Sequence, residues 1–294
     1  MLDLLVDPFA GGIAQRALLE VVLLGLVCGP LGVWIVLYRQ SYSAESIAHG
    51  ALPGLVLAAL AGAPLILGAA GGLLLAAVAV ALASRERSIG ADTAVAVVIT
   101  TLFGAGVLLA LSPEVPARLG EILFGDPLSV SGSDLAASAA LAAVTLAALV
   151  AAHRSLALAT FDSPSAPSLG VQPWRSELTL LCLLALATLV AIQALGNLLV
   201  VALLIAPGAT ALTLARSLPR TLVVSALLAV AAGIAGLYAS HYLEVAAGAA
   251  IALAAVAVFI LGLVAHGGVA RLRRPRPRHP GPPPMQSARL PVRR

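Results

Sequence analysis

Residues 41–54 read S-Y-S-A-E-S-I-A-H-G-A-L-P-G and set a carboxylate and an imidazole at the head of a long apolar run. Glu45 and His49 are four residues apart, so on a helix they share one face, and Pro53 continues that stripe one turn later. After Glu45 the next Asp, Glu, Lys or Arg is Arg85, which leaves His49 as the only ionisable group in the 39 residues 46–84. Ionisable groups in such surroundings are costly and mark functional positions. A carboxylate and an imidazole on one face can share a metal ion. The competing reading is that Ser43 caps the helix, Glu45 complements its positive end and His49 hydrogen-bonds at headgroup level. A linear count puts Glu45 six residues after Arg39, nearer the end of the span than its middle. Gly50 and Gly54 allow close approach of another helix or of a passing ion.

The surrounding chain is hydrophobic throughout. Of its 294 residues, 61% are hydrophobic and 10% charged, and its mean hydropathy is +1.05; soluble domains carry about 25% charged residues. Uncharged stretches of 18 residues (Glu20 to Arg39), 21 (Asp92 to Glu114), 18 (Asp134 to His153), 20 (Arg220 to His241) and 21 (Glu244 to His266) each suffice for one bilayer crossing. Two more, 46–84 and 178–215, are about twice as long and are interrupted near Gly62-Ala63-Pro64 and between Gln193 and Asn197. The reading is an all-α, polytopic transmembrane helical bundle of nine spans, or eight if one dips in and returns.

Charge orients that bundle. All seventeen basic residues are Arg. With nine spans and an external N-terminus, fifteen of them fall on one side: Arg39, Arg85, Arg87, Arg154, Arg175, Arg216, Arg220 and eight in the tail. Only Arg16 and Arg118 fall on the other, as expected if the first side is cytoplasmic. The formal net charge of +4 therefore describes orientation and a basic tail and requires no nucleic-acid partner. Three regions are expected: an external lead-in (1–16), a transmembrane domain (17–265) and an Arg/Pro-rich disordered cytoplasmic tail (266–294) attracted to anionic lipid. Asp3 and Asp7 argue against a cleaved signal peptide. Cys28 and Cys182 have no C-x-x-C spacing and read as small buried hydrophobes.

Other positions carry weaker signals. Trp34 and Tyr38 near the inner end of the first span suit the membrane interface. Pro30 and Pro207 lie inside spans, where a kink or broken helix is expected; Pro207 is a candidate gate, with a structural kink the simpler account. His241 sits in the last external turn, where it is placed to meet an incoming cation or simply to face the interface. Residues 113–133, with Glu114, Glu121 and Asp126, read as an external loop. The stretch His153–Ser176 reads as the longest internal loop, with Asp162, three prolines and Gly170.

Four segments resemble the membrane subunit of the zinc and manganese uptake class of ABC transporters: R-Q-S-Y-S-A-E-S-I-A-H-G-A-L-P-G (39–54), F-D-S-P-S-A-P-S-L-G-V (161–171), L-G-N-L-L-V-V-A-L-L-I-A-P-G-A-T-A (195–211) and L-Y-A-S-H-Y-L-E-V-A-A-G-A-A-I-A-L (237–253). The resemblance covers roughly residues 15–265. It departs at Glu45, where the family usually has Asp, and at Ala246 or Ala247, where it usually has proline. It implies a bacterial inner-membrane permease that works as a dimer, with Glu45 and His49 on the path of a transported Zn or Mn ion and no permanently bound cofactor. It also implies a separate cytoplasmic ATPase docking at the Asp162–Gly170 loop and an extracytoplasmic metal-binding protein. Nothing in the chain resembles G-x-x-x-x-G-K-[ST], so ATP hydrolysis is expected on another polypeptide. The alternatives are an ABC permease for a chelated metal or corrinoid, which predicts a wide polar cavity, and a proton-coupled metal carrier, which predicts transport without an ATPase. A purely structural membrane protein leaves the Glu45 and His49 pair unexplained.

Overall fold

A computed structural model describes residues 11–85, 91–112, 131–195 and 200–272. The lead-in before residue 11, most of the 113–133 loop, the break near Asn197 and the tail from residue 273 lie outside them. All regular structure in the described residues is helical: α1 (Gly12–Leu37), α2 (Ser41–His49), α3 (Ala51–Leu60), α4 (Leu65–Ala83), α5 (Ala91–Ala110), α6 (Gly132–Phe161), a 3-10 turn (Ala166–Leu169), α7 (Pro173–Leu195), α8 (Val200–Leu214), α9 (Leu218–Leu243) and α10 (Ala247–Leu272). Among the described residues, eight spans are long and apolar enough to cross a membrane, with α2 and α3 together making one of them, and α8 is a shorter apolar helix. The chain is a multi-pass membrane protein.

Contacts between helix ends show how the spans alternate. Tyr38, at the end of α1, donates to the Leu156 carbonyl near the end of α6 (3.1 Å), and Arg85, just past α4, stacks over Trp174 in the first turn of α7 (5.1 Å). These ends therefore share one face, together with the α1–α2 turn. Antiparallel packing of α1 on α9 pairs Gly25 with Val230 and Gly29 with Ser225.

The core is centred on α1, whose Leu24, Cys28, Leu31, Trp34 and Ile35 are fully buried. With no hydrophobic effect acting between helices inside lipid, small residues that bring backbones together supply the packing. Gly32 and Gly208 show this most clearly: α1 and α8 cross there backbone to backbone, so that a Cβ on Gly208 would lie 2.6 Å from the Gly32 carbonyl carbon. Gly208→Ala is accordingly expected to destabilise the chain by about 1–3 kcal/mol. Thermal unfolding of the purified protein measures this, and an unchanged midpoint would mean the two helices can separate at no cost. Several buried threonine hydroxyls are satisfied within their own helices, as in Thr145 to the Leu141 carbonyl and Thr210 to that of Ala206.

Several elements differ from expectation. α6 runs through Phe161, eight residues past His153, so the internal loop shrinks to 162–172. A 30-residue helix is about 45 Å long against a hydrocarbon core of about 30 Å, so it is longer than one crossing needs and carries His153 and Arg154 within it. Pro207 lies within one continuous helix, so the helix is not broken there. Trp34 is fully buried against the His153 ring (centroids 5.4 Å apart) and not at the lipid interface. Helical structure begins at Gly12 and continues to Leu272.

Candidate functional site

The span holding Glu45 and His49 starts abruptly. α1 ends at Leu37, Arg39 adopts a left-handed φ of 58°, and α2 begins at Ser41. Ser43 is not the cap: Gln40 occupies that position without a side-chain cap bond, and the buried Ser43 hydroxyl donates to Gln40 Oε1. Glu45 thus stands about one turn into the span, where a linear count places it.

Within α2 the burial pattern separates two faces. Ser43, Ala44, Ser46, Ile47 and Ala48 are buried; Tyr42 and Glu45 are exposed and His49 is half-buried. Tyr42, Glu45 and His49 follow at i, i+3 and i+7, one stripe that the rest of the chain does not cover. Within this stripe the His49 ring meets Phe103 of α5 edge-on, with centroids 5.4 Å apart. Among the described residues no three His, Cys, Asp or Glu side chains gather to hold a metal ion.

The glycines face elsewhere. Gly50 abuts Gly72 and Ala76, and Gly54 abuts Gly68, all on α4, while Gly106 of α5 abuts Pro53. Gly50 and Gly54 seat the span on α4, while the His49 ring meets α5 and Glu45 stays exposed. Pro53 has a second effect: lacking an N–H, it cannot donate to the His49 carbonyl, which loses its usual i+4 partner in the helix.

Two hydrogen bonds tie the start of this span to the helices flanking the 162–172 loop. Gln40 Nε2 donates to Glu177 Oε1 on α7 at 2.6 Å, and Tyr38 holds α6 as described above. Burial pushes the Tyr38 phenol above its ordinary value, so it remains a donor at neutral pH. The loop itself is ordered. The Asp162 carbonyl accepts from Ala166 N–H at 3.0 Å, Ala166 is fully buried, and Gly170 closes the 3-10 turn at φ 78°. The i, i+4, i+8 spacing of Asp162, Ala166 and Gly170 is explained by this turn: an opening carbonyl, a buried methyl, and a left-handed closure that favours glycine.

His241 is exposed at the end of α9, its ring edge-on to Tyr242, with Glu244 at φ 53° completing the turn into α10. It lies at the opposite end of the bundle from the α1–α2 turn. Pro207 is buried at the α1 crossing. Neither is brought together with Glu45 and His49.

Glu20 was legible only as a boundary of an uncharged run, yet it is fully buried in α1 with neither carboxylate oxygen hydrogen-bonded, near Ser138 and Asp134 of α6. The signal available in the sequence was a single acid between Arg16 and Arg39 in an otherwise apolar stretch. A neutral amide of the same shape suits such a place, so Glu20→Gln is expected to unfold at or above the wild-type temperature. A fall of about 5 °C or more would mean that an ionised, compensated Glu20 supports the fold.

Known proteins align with nearly the whole bundle. The manganese transport system membrane protein MntC of Halalkalibacterium halodurans is 36% identical over 248 residues, covering 84% of this chain and 85% of that one. The chelated iron transport system membrane protein YfeD of Yersinia pestis is 33% identical, covering 90% and 89%. The solved PsaBC from Streptococcus pneumoniae in complex with Fab superposes with a TM-score of 0.79 at 29% identity, covering 89% of this chain and 95% of that one. Residues 12–266, from the first turn of α1 to the last turns of α10, match the ABC 3 transport family, and the chain is a membrane component belonging to that family.

Proposed function

We propose that the chain is the permease of an ATP-driven importer for a divalent first-row metal ion, manganese foremost, with the ion passing Glu45 and His49. The observation that carries this reading is the uncovered stripe of α2. A carboxylate on a membrane helix does not face hydrocarbon without large cost, so this stripe belongs beside a water-filled path or a second protein surface. One copy offers Glu45, His49 and the freed His49 carbonyl; two copies across an axis offer two carboxylates and two imidazoles. That oxygen and nitrogen set suits manganese, iron(II) or zinc and does not favour copper(I), which prefers thiolate.

The remaining parts follow from the same reading. The N-terminus is external and the Arg-rich tail cytoplasmic, which puts the 162–172 loop on the side of a separate ATPase. Movement at that loop passes through α6 and α7 to Tyr38 and Gln40, and so to the turn that launches α2. An extracytoplasmic metal-binding protein delivers the ion at the face carrying His241. The name of YfeD favours a second reading, a permease for chelated iron.

The test is ATP-dependent uptake into proteoliposomes holding the chain, its ATPase and its binding protein. Free Mn²⁺ is expected to accumulate and to be competed by Zn²⁺ or Fe²⁺. Uptake of an iron chelate in preference to free ions would select the second reading, and uptake without the ATPase would reject both.

A further inference from the structure

Between α8, α9 and α10, at the end of the bundle where α10 finishes, lies an open cavity of about 960 Å³ whose lining includes neither Glu45 nor His49. Arg216, Arg220 and His266 line its polar part, and Leu214, Val223 and Ala265 its apolar part. We propose that this cavity is a binding site for an anionic glycerophospholipid, its phosphate held by Arg216 and Arg220 and one acyl chain laid along α9.

Charge and depth select this class of ligand. Neither guanidinium has an ion pair or hydrogen bond among the described residues. Arg220 also lies in the first turn of α9, where the helix dipole disfavours a cation, so the pair calls for an anion. Guanidinium groups match phosphate oxygens in a planar, two-bonded geometry. The wall continues outward through Val223 (60% exposed) and Leu227 (63% exposed), side chains that face hydrocarbon in a membrane. Inorganic phosphate would answer the arginines and leave that wall empty. An acidic protein segment would carry unpaired backbone groups to hydrocarbon depth. Basic pockets between helices on the cytoplasmic side are suited to anionic headgroups, and the Arg distribution assigns this end to that side. The inference needs only the membrane topology and is independent of which ion is transported.

Native mass spectrometry of the full-length chain, exchanged into detergent with phosphatidylglycerol, cardiolipin or phosphatidylcholine, tests it. One phosphatidylglycerol or cardiolipin is expected to be retained and phosphatidylcholine not. The double variant Arg216→Ala/Arg220→Ala should lower occupancy at least fivefold. Val223→Trp, which fills the wall and keeps both guanidiniums, should do the same. Arg216→Lys/Arg220→Lys, which keeps the charge without the two-bonded fork, should weaken binding without abolishing it, and Arg85→Ala/Arg175→Ala, at another basic patch, should leave it unchanged. Where the alanine pair fails to fold, the lysine pair and Val223→Trp decide. Equal retention of phosphatidylcholine, unchanged binding in the alanine pair, or displacement by inorganic phosphate with no effect of Val223→Trp would overturn the proposal.

Discussion

Glu45→Ala and His49→Ala are each expected to reduce metal uptake at least tenfold while leaving the amount of protein in the membrane unchanged. The protein level should hold because Glu45 is exposed and His49 only half-buried, so neither supports the core. Removing a residue that merely orients a metal ligand commonly costs 10–100-fold in affinity, so losing a ligand should cost no less; tenfold corresponds to about 1.4 kcal/mol. Glu45→Asp keeps the carboxylate and shortens its reach, and substantial uptake should survive. Glu45→Gln keeps the shape without the charge and should behave like alanine. Uptake with radioactive or fluorescence-detected Mn²⁺ reads all four variants. Normal uptake in both alanine variants would remove this pair from the transport path.

Leu169→Glu is expected to separate the permease from its ATPase. Phe161, the last residue of α6, is 64% exposed and Leu169, in the loop that follows, 54% exposed, two large apolar side chains open to a partner. Placing a charge at the centre of such a contact typically weakens it by about 2 kcal/mol or more, close to thirtyfold in affinity. Co-purification of the ATPase and its stimulation by the permease should both fall, and uptake with them. Gly170→Ala offers the contrast. A Cβ there meets nothing, so the expected effect is only the strain of a left-handed residue, about 1–2 kcal/mol, with the complex retained. Full co-purification of Leu169→Glu would place the docking surface elsewhere.

The helical class, a count of eight to nine spans and their likeness to a transporter family were readable because hydrocarbon imposes one demand on every crossing residue. Backbone groups must be satisfied within the helix and side chains must be apolar, so interruptions by charge mark where each crossing stops. The same rule exposed Glu45 and His49 as exceptions. Other readings failed where the determining quantity was a neighbour. Charge at His153 and Arg154 looked like the start of a loop, yet α6 continues because a helix has no reason to stop on reaching water. Pro207 signals a kink or a break by itself, and only the packed structure shows one continuous helix there, crossing α1 at Gly208 and Gly32.

Composition and periodicity thus established which segments cross and which residues are out of place in lipid, since both are properties of a segment and its solvent. Which face of α2 stays uncovered, what the glycines at 50 and 54 touch, how Gln40 meets Glu177 across 137 positions of chain, and that Glu20 is sealed from water are properties of pairs of helices. Such pairings arise from the fit of small residues against distant backbone, and that fit is expressed once the helices have packed.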